Sequence, residues 1–286
     1  MSEALRFSKM HGLGNDFVVV DATKEAFAPT TEQLAWLCDR HFGVGADQVL
    51  VVDPPAGDED FGYRIYNADG SQSGQCGNGA RCLGLFIHRQ GLSDKDRLSV
   101  RTSDTRMHIA RCDDADYEVE LAPPVLEPAA LPSELDAAPA AEHELEVPGF
   151  GRLEVGLVQL GNPHAVLLVE DIDTAPVAKL GAALQALPLF PASVNVGFLQ
   201  MQGRGQGRLR VYERGAGETL ACGSGACAAA VSAVLRGLAD EAVTLQLRGG
   251  SLRIAWPGSL SSPQAPVRMR GPATHVYDGC LQWPNP

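Results

Sequence analysis

Two cysteines, Cys76 and Cys222, stand in nearly the same short sequence and could carry out acid–base chemistry together. The first lies in QCGNGARC at 75–82 and the second in ACGSGAC at 221–227. A thiolate can remove a proton from carbon and a thiol can return one. Two thiols acting on opposite faces of a carbon would invert its configuration. The pair therefore predicts an isomerisation that needs no cofactor and no metal.

The Cys-Gly-X-Gly-Ala sequence suits the start of a helix that binds an anion. Glycine lets the backbone turn sharply and approach a ligand. The first N–H groups of a helix have no internal partner and attract a carboxylate. The same positive potential favours thiolate over thiol. A fall in thiol pKa from about 8.5 to about 7 corresponds to about 2 kcal/mol. Cys82 and Cys227, one turn further on, are predicted to pack in the core.

The cysteine motif belongs to a longer duplication. The two cysteines are 222 − 76 = 146 residues apart, and other polar residues recur at nearly the same spacing. The matched pairs are Asn67 with Glu213, Asn15 with Asn162 and Gln48 with Asn195. One motif alone would equally suit a tight turn with an inert thiol. The repeat favours two similar halves that each present the same kind of site.

The elements that must position these residues are mainly strands. Short β-branched or alternating runs between turn residues predict strands at FVVVDA, VLVVD, YRIYN, LSVRT, MHIARC, YEVEL, AVLLVE, VGFLQ, RLRVYE, VTLQLR and LRIAW. Helical patterns cover only 31–40, 81–89, 177–187 and 226–236. The predicted class is α+β. We expect two pseudo-symmetric mixed domains, each a curved, mainly antiparallel, barrel-like sheet around a central helix, with the active site in the cleft between them. The predicted domains are 1–122 with 271–286, and 123–270. The Pro- and Ala-rich stretch 122–148 is predicted to link them.

Composition excludes several classes of protein. The chain has 286 residues, with 23 Lys and Arg against 35 Asp and Glu, a net charge of −12. That charge disfavours a nucleic-acid partner. There is no apolar run long enough for a membrane span and no secretory leader pattern, so we expect a cytoplasmic protein. Seven cysteines without metal-site spacing predict neither a disulfide framework nor a zinc site.

At these residues the chain resembles the diaminopimelate epimerases. The resemblance runs through MHGLGNDFVVVD, FGVGADQ, YNADGSQSGQCGNGARC, GNPHAV, ERGAGETLACGSGACAAA and GPATHVYDG, over almost the whole length. It implies an isomerase that interconverts LL- and meso-diaminopimelate for lysine and peptidoglycan synthesis. It further implies that no pyridoxal phosphate, metal or nucleotide takes part.

The resemblance also assigns roles to residues of this chain. Cys76 and Cys222 match the two catalytic thiols, and His164 and Glu213 match the pair that tunes them. An arginine at 214 suits a two-pronged grip on the distal carboxylate. The implied substrate-binding residues are Asn15, Gln48, Asn67, Gly77, Asn78, Asn162, Asn195, Glu213, Arg214, Gly223 and Ser224. A homodimer is expected only as the commonest assembly.

Three other functions remain open from the residues alone. One is another cofactor-independent isomerase of the same fold, which should lack the Gly-Asn-Asp-Phe start and the Glu213-Arg214 pair. The second is a thiol redox protein in which Cys76 and Cys222 form a switchable disulfide. The third is a non-catalytic protein that binds amino acids. Gly197 departs from the family pattern, in which a polar or acidic residue is usual, and leaves the shape of that segment open.

Overall fold

A computed structural model of the chain describes residues 4–74 and 76–283, so Gln75 of the first cysteine motif lies outside the described part. The chain folds into two compact units. One runs to Val119 and resumes at Gly271, and the other spans Glu120–Arg270.

The first half of the chain contains eight strands and two helices. They are β1 (Leu5–Gly12), β2 (Asn15–Asp21), α1 (Thr31–Cys38), β3 (Gln48–Asp53), β4 (Phe61–Asn67), β5 (Gln72–Ser73), α2 (Gly77–Arg89), β6 (Arg97–Arg101), β7 (Arg106–Arg111) and β8 (Asp116–Leu121).

The second half repeats this order after a short 3₁₀ turn and one extra strand. Its elements are the turn Pro128–Ala130, β9 (His143–Val147), β10 (Gly151–Gln159), β11 (Pro163–Leu168), α3 (Val177–Gln185), β12 (Asn195–Gly203), β13 (Gln206–Glu213), β14 (Gly217–Glu218), α4 (Gly223–Leu235), β15 (Ala242–Leu247), β16 (Gly250–Ala255), β17 (Val267–Pro272) and the closing strand β18 (Thr274–Leu281).

Strand pairing follows the same plan in both units. β1 and β2 are antiparallel, β2 and β3 parallel, and β3 and β4 antiparallel. The second unit repeats this with β10 and β11, β11 and β12, and β12 and β13. Each first strand also gains an antiparallel neighbour, β18 beside β1 and β9 beside β10. The predicted α+β class with two pseudo-symmetric halves is confirmed.

One helix lies at the centre of each unit. α2 packs against β1, β2, β3, β7 and β18, and α4 packs against strands β10 to β13, β15 and β16. Residues 78–87 of α2 are all buried. A helix that is buried on every side must be apolar or carry only small and satisfied side chains. α4 meets the size requirement with GACAAAVSAV, in which most side chains are small, although the buried Ser232 hydroxyl has no hydrogen-bond partner among the described residues.

The structure corrects the predicted start of both long helices. They begin at Gly77 and Gly223, inside the cysteine motif, and not at 81 and 226. The cysteines themselves are therefore the N-cap residues. Glycine lowers the stability of a helix when it lies in the interior. The first turn tolerates glycine better, because most of its N–H groups have no hydrogen bond within the helix.

Among the strands longer than two residues, five are absent from the sequence prediction, namely β1, β9, β10, β17 and β18. In the β1–β18 pairing, Lys9 faces Tyr277 and Met10 faces His275, so β18 carries one extra residue, Val276, which breaks the alternation of that strand. The stretch predicted as a linker contains β9, and its Leu131 and Leu145 are buried in the core of the second unit. No helix in residues 4–74 and 76–283 has the length and apolar content to cross a membrane.

Gly79 provides a direct test of how closely α2 is packed. A Cβ at this position would overlap the Tyr63 hydroxyl and lie 3.2 Å from a Leu50 methyl group. Both side chains are buried, so Gly79→Ala should lower the free energy of unfolding by about 1–3 kcal/mol. Urea unfolding followed by circular dichroism measures this.

Gly197 supplies the matched control. A Cβ there would lie 3.6 Å from Leu209 and 3.8 Å from Val166, which is ordinary contact. We expect Gly197→Ala to raise the free energy of unfolding by about 0.5–1 kcal/mol. An equal loss in both variants would show that the packing around Gly79 is not special.

Candidate active site

Cys76 lies at the N-terminus of α2 and takes part in capping it. Its backbone is extended, with φ −147° and ψ 109°, and its Sγ accepts a hydrogen bond from the Gly79 N–H at 3.4 Å. The sulfur thus satisfies one of the N–H groups that a helix start leaves open. Gly77 is the first helical residue, and the side chain of Cys76 is half-buried.

Asn15 connects this thiol to the rest of the first unit. Its Oδ1 accepts from the Cys76 thiol at 3.9 Å and from Asn78 Nδ2 at 3.3 Å. Its Nδ2 donates to the Asp47 carboxylate at 2.9 Å. The amide is therefore held in one orientation, with its oxygen toward the sulfur. Three of the predicted residues, Asn15, Cys76 and Asn78, are brought together.

A network of ion pairs fixes the start of β2, where Asn15 lies. Asp16 forms ion pairs with Lys9 at 2.6 Å and with Arg40 at 2.8 Å, and Arg40 also pairs with Asp47 at 2.7 Å. Burial raises the pKa of Asp16, but its hydrogen bonds to Arg40 and Lys9 outweigh this and hold it well below its usual value. Lys9 belongs to this network through its ion pair with Asp16.

Gln48 and Asn67 form a second predicted group on adjacent strands. They are direct partners in the β3–β4 register, and Gln48 Nε2 donates to Asn67 Oδ1 at 2.8 Å. Asn67 Nδ2 donates to the Ser71 hydroxyl at 3.0 Å. The two amides therefore lie side by side where β3 begins and β4 ends, and Asn67 is nine residues before Cys76.

Cys222 stands at the same place in the second unit but in a different environment. It is the N-cap of α4 and only 5% exposed. Its Sγ lies 3.7 Å from the Ser224 hydroxyl, and its side chain makes no capping hydrogen bond to the start of α4. Burial, followed by the nearby Glu213 carboxylate, raises the pKa of this thiol well above its usual value. The expected bias toward thiolate is wrong for Cys222 in this state.

Glu213 is thus placed to act on the Cys222 proton. Its carboxylate lies close enough to the Cys222 thiol to raise its pKa, and it accepts a hydrogen bond from the Thr219 hydroxyl. A carboxylate beside a buried thiol stabilises the protonated sulfur and offers a base for its proton. Glu213, Cys222 and Ser224 form the second predicted cluster, beside Gly223 at the start of α4.

His164 and Asn162 form a pair at the start of β11. His164 Nε2 lies 2.8 Å from Asn162 Oδ1, which makes that nitrogen the protonated one. Complete burial, and then the positive charge of Arg214, lower the pKa of His164 to about 3, so the ring is neutral. Its Nδ1 has no hydrogen-bond partner among the described residues. The histidine leaves the Asn162 Nδ2 hydrogens for an incoming acceptor.

Asn195 ties together the backbone around this pair. Its Nδ2 donates to the Pro163 carbonyl at 3.2 Å, and its Oδ1 accepts from the Arg214 N–H at 2.9 Å. Asn195 is 4% exposed, so in this state its side chain mainly holds these two backbone segments together. The exposed Arg214 side chain bonds the Ala192 carbonyl through Nη1.

Several residues in these clusters escaped sequence reasoning. Asp47, Arg81 and Thr219 each contact a predicted site residue. Asp47 directly precedes Gln48, which is the one available signal for it. The duplication could not reveal Arg81, because the residue 146 positions later is Cys227.

Solved structures with the same fold include several isomerases. A hydroxyproline epimerase from Agrobacterium vitis superposes with a TM-score of 0.71 at 14% identity, covering 98% of this chain and 94% of that one. A phenazine biosynthesis protein of the PhzF family from Bacillus anthracis gives 0.69 at 13% identity, covering 98% and 100%. The chain has the two-domain fold of this group of epimerases, racemases and isomerases.

Closer relatives identify the family within that group. The family model for diaminopimelate epimerase matches residues 7–127 and 156–276. The diaminopimelate epimerase of Thioalkalivibrio sulfidiphilus is 50% identical over 97% of this chain and 99% of its own length. That of Aromatoleum aromaticum is 51% identical over 96% and 98%. The chain belongs to the diaminopimelate epimerase family. This confirms the resemblance seen in the sequence and the predicted enzyme class, an isomerase.

Proposed function

We propose that this protein epimerises LL-2,6-diaminopimelate to the meso isomer, a step toward lysine and peptidoglycan. The observation that carries this proposal is a cysteine at the N-terminus of a central helix in each half, within a chain of this family. Each thiol has its own polar neighbours, Asn15 and the Gly79 N–H for Cys76, and Glu213 and Ser224 for Cys222.

The proposed chemistry uses one sulfur as base and the other as acid. A thiolate takes the α-proton, the C–H bond breaks and its electron pair remains on the α-carbon and carboxylate. The second thiol then gives its proton to the opposite face of that carbon and becomes a thiolate. No electrons are gained or lost overall, and the reverse reaction exchanges the roles of the sulfurs. Open N–H groups of the helix starts stabilise the charge that grows on the substrate carboxylate.

The environments of the two sulfurs suggest which acts first on the LL isomer. Cys222 is buried beside a carboxylate and therefore protonated at rest, which suits the acid. We assign Cys76 as the base for the LL isomer, because its surroundings are only half-buried and the Gly79 N–H stabilises the thiolate that forms once the proton facing Asn15 Oδ1 is lost. Glu213 adjusts Cys222 directly. His164, neutral and hydrogen-bonded to Asn162, acts through the orientation of that amide.

The remaining residues of the two clusters are proposed to bind the substrate. Asn162 offers amide donors and Arg214 a guanidinium, both suited to a carboxylate. Gln48 and Asn67 offer paired amides for the amino and carboxylate groups. The other proposed contacts are Asn15, Gly77, Asn78, Asn195, Glu213, Gly223 and Ser224.

Two further proposals concern the protein in the cell. A thiol mechanism works only with reduced sulfurs, which the cytoplasm maintains. We therefore place the enzyme in the cytoplasm, and fractionation with an antibody against the chain would locate it. We also propose a homodimer, to be tested by light scattering of the purified protein.

Incubation of the reduced protein with LL-diaminopimelate in heavy water tests the proposed reaction. We expect loss of optical rotation together with one deuterium at the inverted α-carbon, measured by NMR. Cys112→Ser, which changes an exposed thiol, should behave as the wild type does. Fully reduced protein that neither inverts nor exchanges the substrate would overturn the proposal.

A further inference from the structure

Arg81 is a cation buried completely inside the first unit, in the second turn of α2. We propose that Arg81 is a positioning residue that holds the Asn78–Asn15–Cys76 group in its reactive arrangement. This inference deepens the proposed function and rests on it.

The guanidinium is bound by groups at the N-terminus of its own helix and by one backbone carbonyl further along the chain. Its Nη2 donates to Asn78 Oδ1 at 2.9 Å, and its Nη1 donates to the Gly77 carbonyl at 3.4 Å. Its Nε donates to the Pro272 carbonyl at 3.2 Å. The Arg81 guanidinium therefore hydrogen-bonds to the first turn of α2, where the Cys76 sulfur caps the helix.

The backbone at Gly12 packs closely against the Arg81 guanidinium. A Cβ at Gly12 would lie 3.1 Å from Arg81 Nη2 and 3.1 Å from the Asn78 carbonyl oxygen. This close packing restricts the Arg81 guanidinium to one orientation. A guanidinium that is held rigidly can fix the position of the side chain to which it donates, which here is Asn78.

The hydrogen bond to Asn78 decides which way its amide points. The oxygen and nitrogen of an asparagine amide have nearly the same shape, so hydrogen bonds alone select the orientation. Arg81 can only donate, so it takes the Asn78 oxygen. The Asn78 nitrogen then faces Asn15 Oδ1 at 3.3 Å, the same oxygen that the Cys76 thiol approaches at 3.9 Å. Three links connect the buried cation to the sulfur.

The second unit shows that packing alone does not call for a cation here. The residue 146 positions after Arg81 is Cys227, which is also completely buried. Burying a guanidinium is costly unless its donors are all well used. An arginine at this position therefore points to a task specific to the first unit, where Cys76 has an asparagine next to the motif glycine and Cys222 has a serine.

The test measures steady-state epimerisation by Arg81→Met and Arg81→Lys, corrected for the folded fraction by circular dichroism. Misalignment should lower kcat about 100-fold in Arg81→Met while KM changes less than about threefold. Arg81→Lys, which keeps a donor but loses the fork, should recover part of that loss. Arg89→Met removes a cation from the exposed end of the same helix and should leave kcat unchanged.

Two further measurements separate positioning from a general loss of structure. The rate at which iodoacetamide alkylates Cys76, followed in a Cys222→Ser background, should change in Arg81→Met but not in Arg89→Met. Asn78→Ser leaves Arg81 in place and cuts the connection, so it should reproduce the fall in kcat even if the Arg81 variants do not fold.

The outcomes are distinct from those of the proposed reaction. An inactive wild-type enzyme would overturn the proposed function. An active wild type together with a folded Arg81→Met of unchanged kcat and unchanged Cys76 alkylation would overturn the role of Arg81. If the Arg81 variants are unfolded, wild-type kcat in Asn78→Ser would overturn it instead.

Discussion

Cys222→Ser is expected to lower turnover of LL-diaminopimelate about 1,000-fold, because a hydroxyl is a much weaker acid than a thiol at this site. This variant should still exchange the α-proton with solvent but should no longer invert the α-carbon. Cys76 can still remove the α-proton and return a solvent deuteron to the same face. We therefore expect slow deuterium entry into LL substrate without formation of the meso isomer, measured by NMR and chiral chromatography.

Cys76→Ser should show the opposite behaviour, with exchange lost from the LL isomer and kept, slowly, in the meso isomer. Cys112→Ser serves as the control for both, because its thiol is exposed and far from either motif in sequence. Equal exchange of both isomers by each single variant would contradict the assignment of one sulfur to each face. Epimerisation at near wild-type rate by either variant would exclude the two-thiol mechanism.

Glu213→Gln is expected to lower turnover about 100-fold and to change how Cys222 titrates. Burial and the Glu213 carboxylate both raise the pKa of the thiol. Removing the negative charge takes away one of these causes, so the pKa should fall and the thiolate should form at lower pH. Alkylation of Cys222 by iodoacetamide, followed against pH in a Cys76→Ser background, should show its midpoint moving down.

Glu146→Gln provides the comparison for this prediction. Glu146 is an exposed carboxylate on β9 of the same unit and pairs only loosely with Arg152, at 3.5 Å. It should leave both turnover and the alkylation midpoint unchanged. A midpoint that rises in Glu213→Gln, or stays where it is, would show that the carboxylate does not control the thiol.

The sequence predicted those features of the fold that depend on local pattern. The short β-branched runs became strands, and the duplicated Cys-Gly-X-Gly-Ala placed a cysteine at the start of each central helix. The helix starts were set too late, because glycine reads as a turn residue although the first helical turn accepts it. β18 was missed because its bulge at Val276 interrupts the alternation.

The sequence could not predict features that depend on distant packing. A helix start lowers a thiol pKa, and this effect is visible from the motif alone. Burial of Cys222 beside Glu213 depends on how α4 and β13 pack. This burial raises the pKa of the Cys222 thiol, opposite to the effect of the helix start. Arg81 was equally hidden, because its partners Asn78 and Pro272 are joined only by the fold.

The unequal burial of the two cysteines has a consequence for the timing of the catalytic cycle. In the proposed mechanism, each forward turnover ends with the proton on Cys76 and the negative charge on Cys222, where burial and Glu213 oppose that charge. The free enzyme that leaves the product is therefore not the form that binds the next LL molecule. A proton must pass between the sulfurs through solvent before a new cycle begins. Such a recovery step makes the forward rate at high substrate depend on buffer concentration.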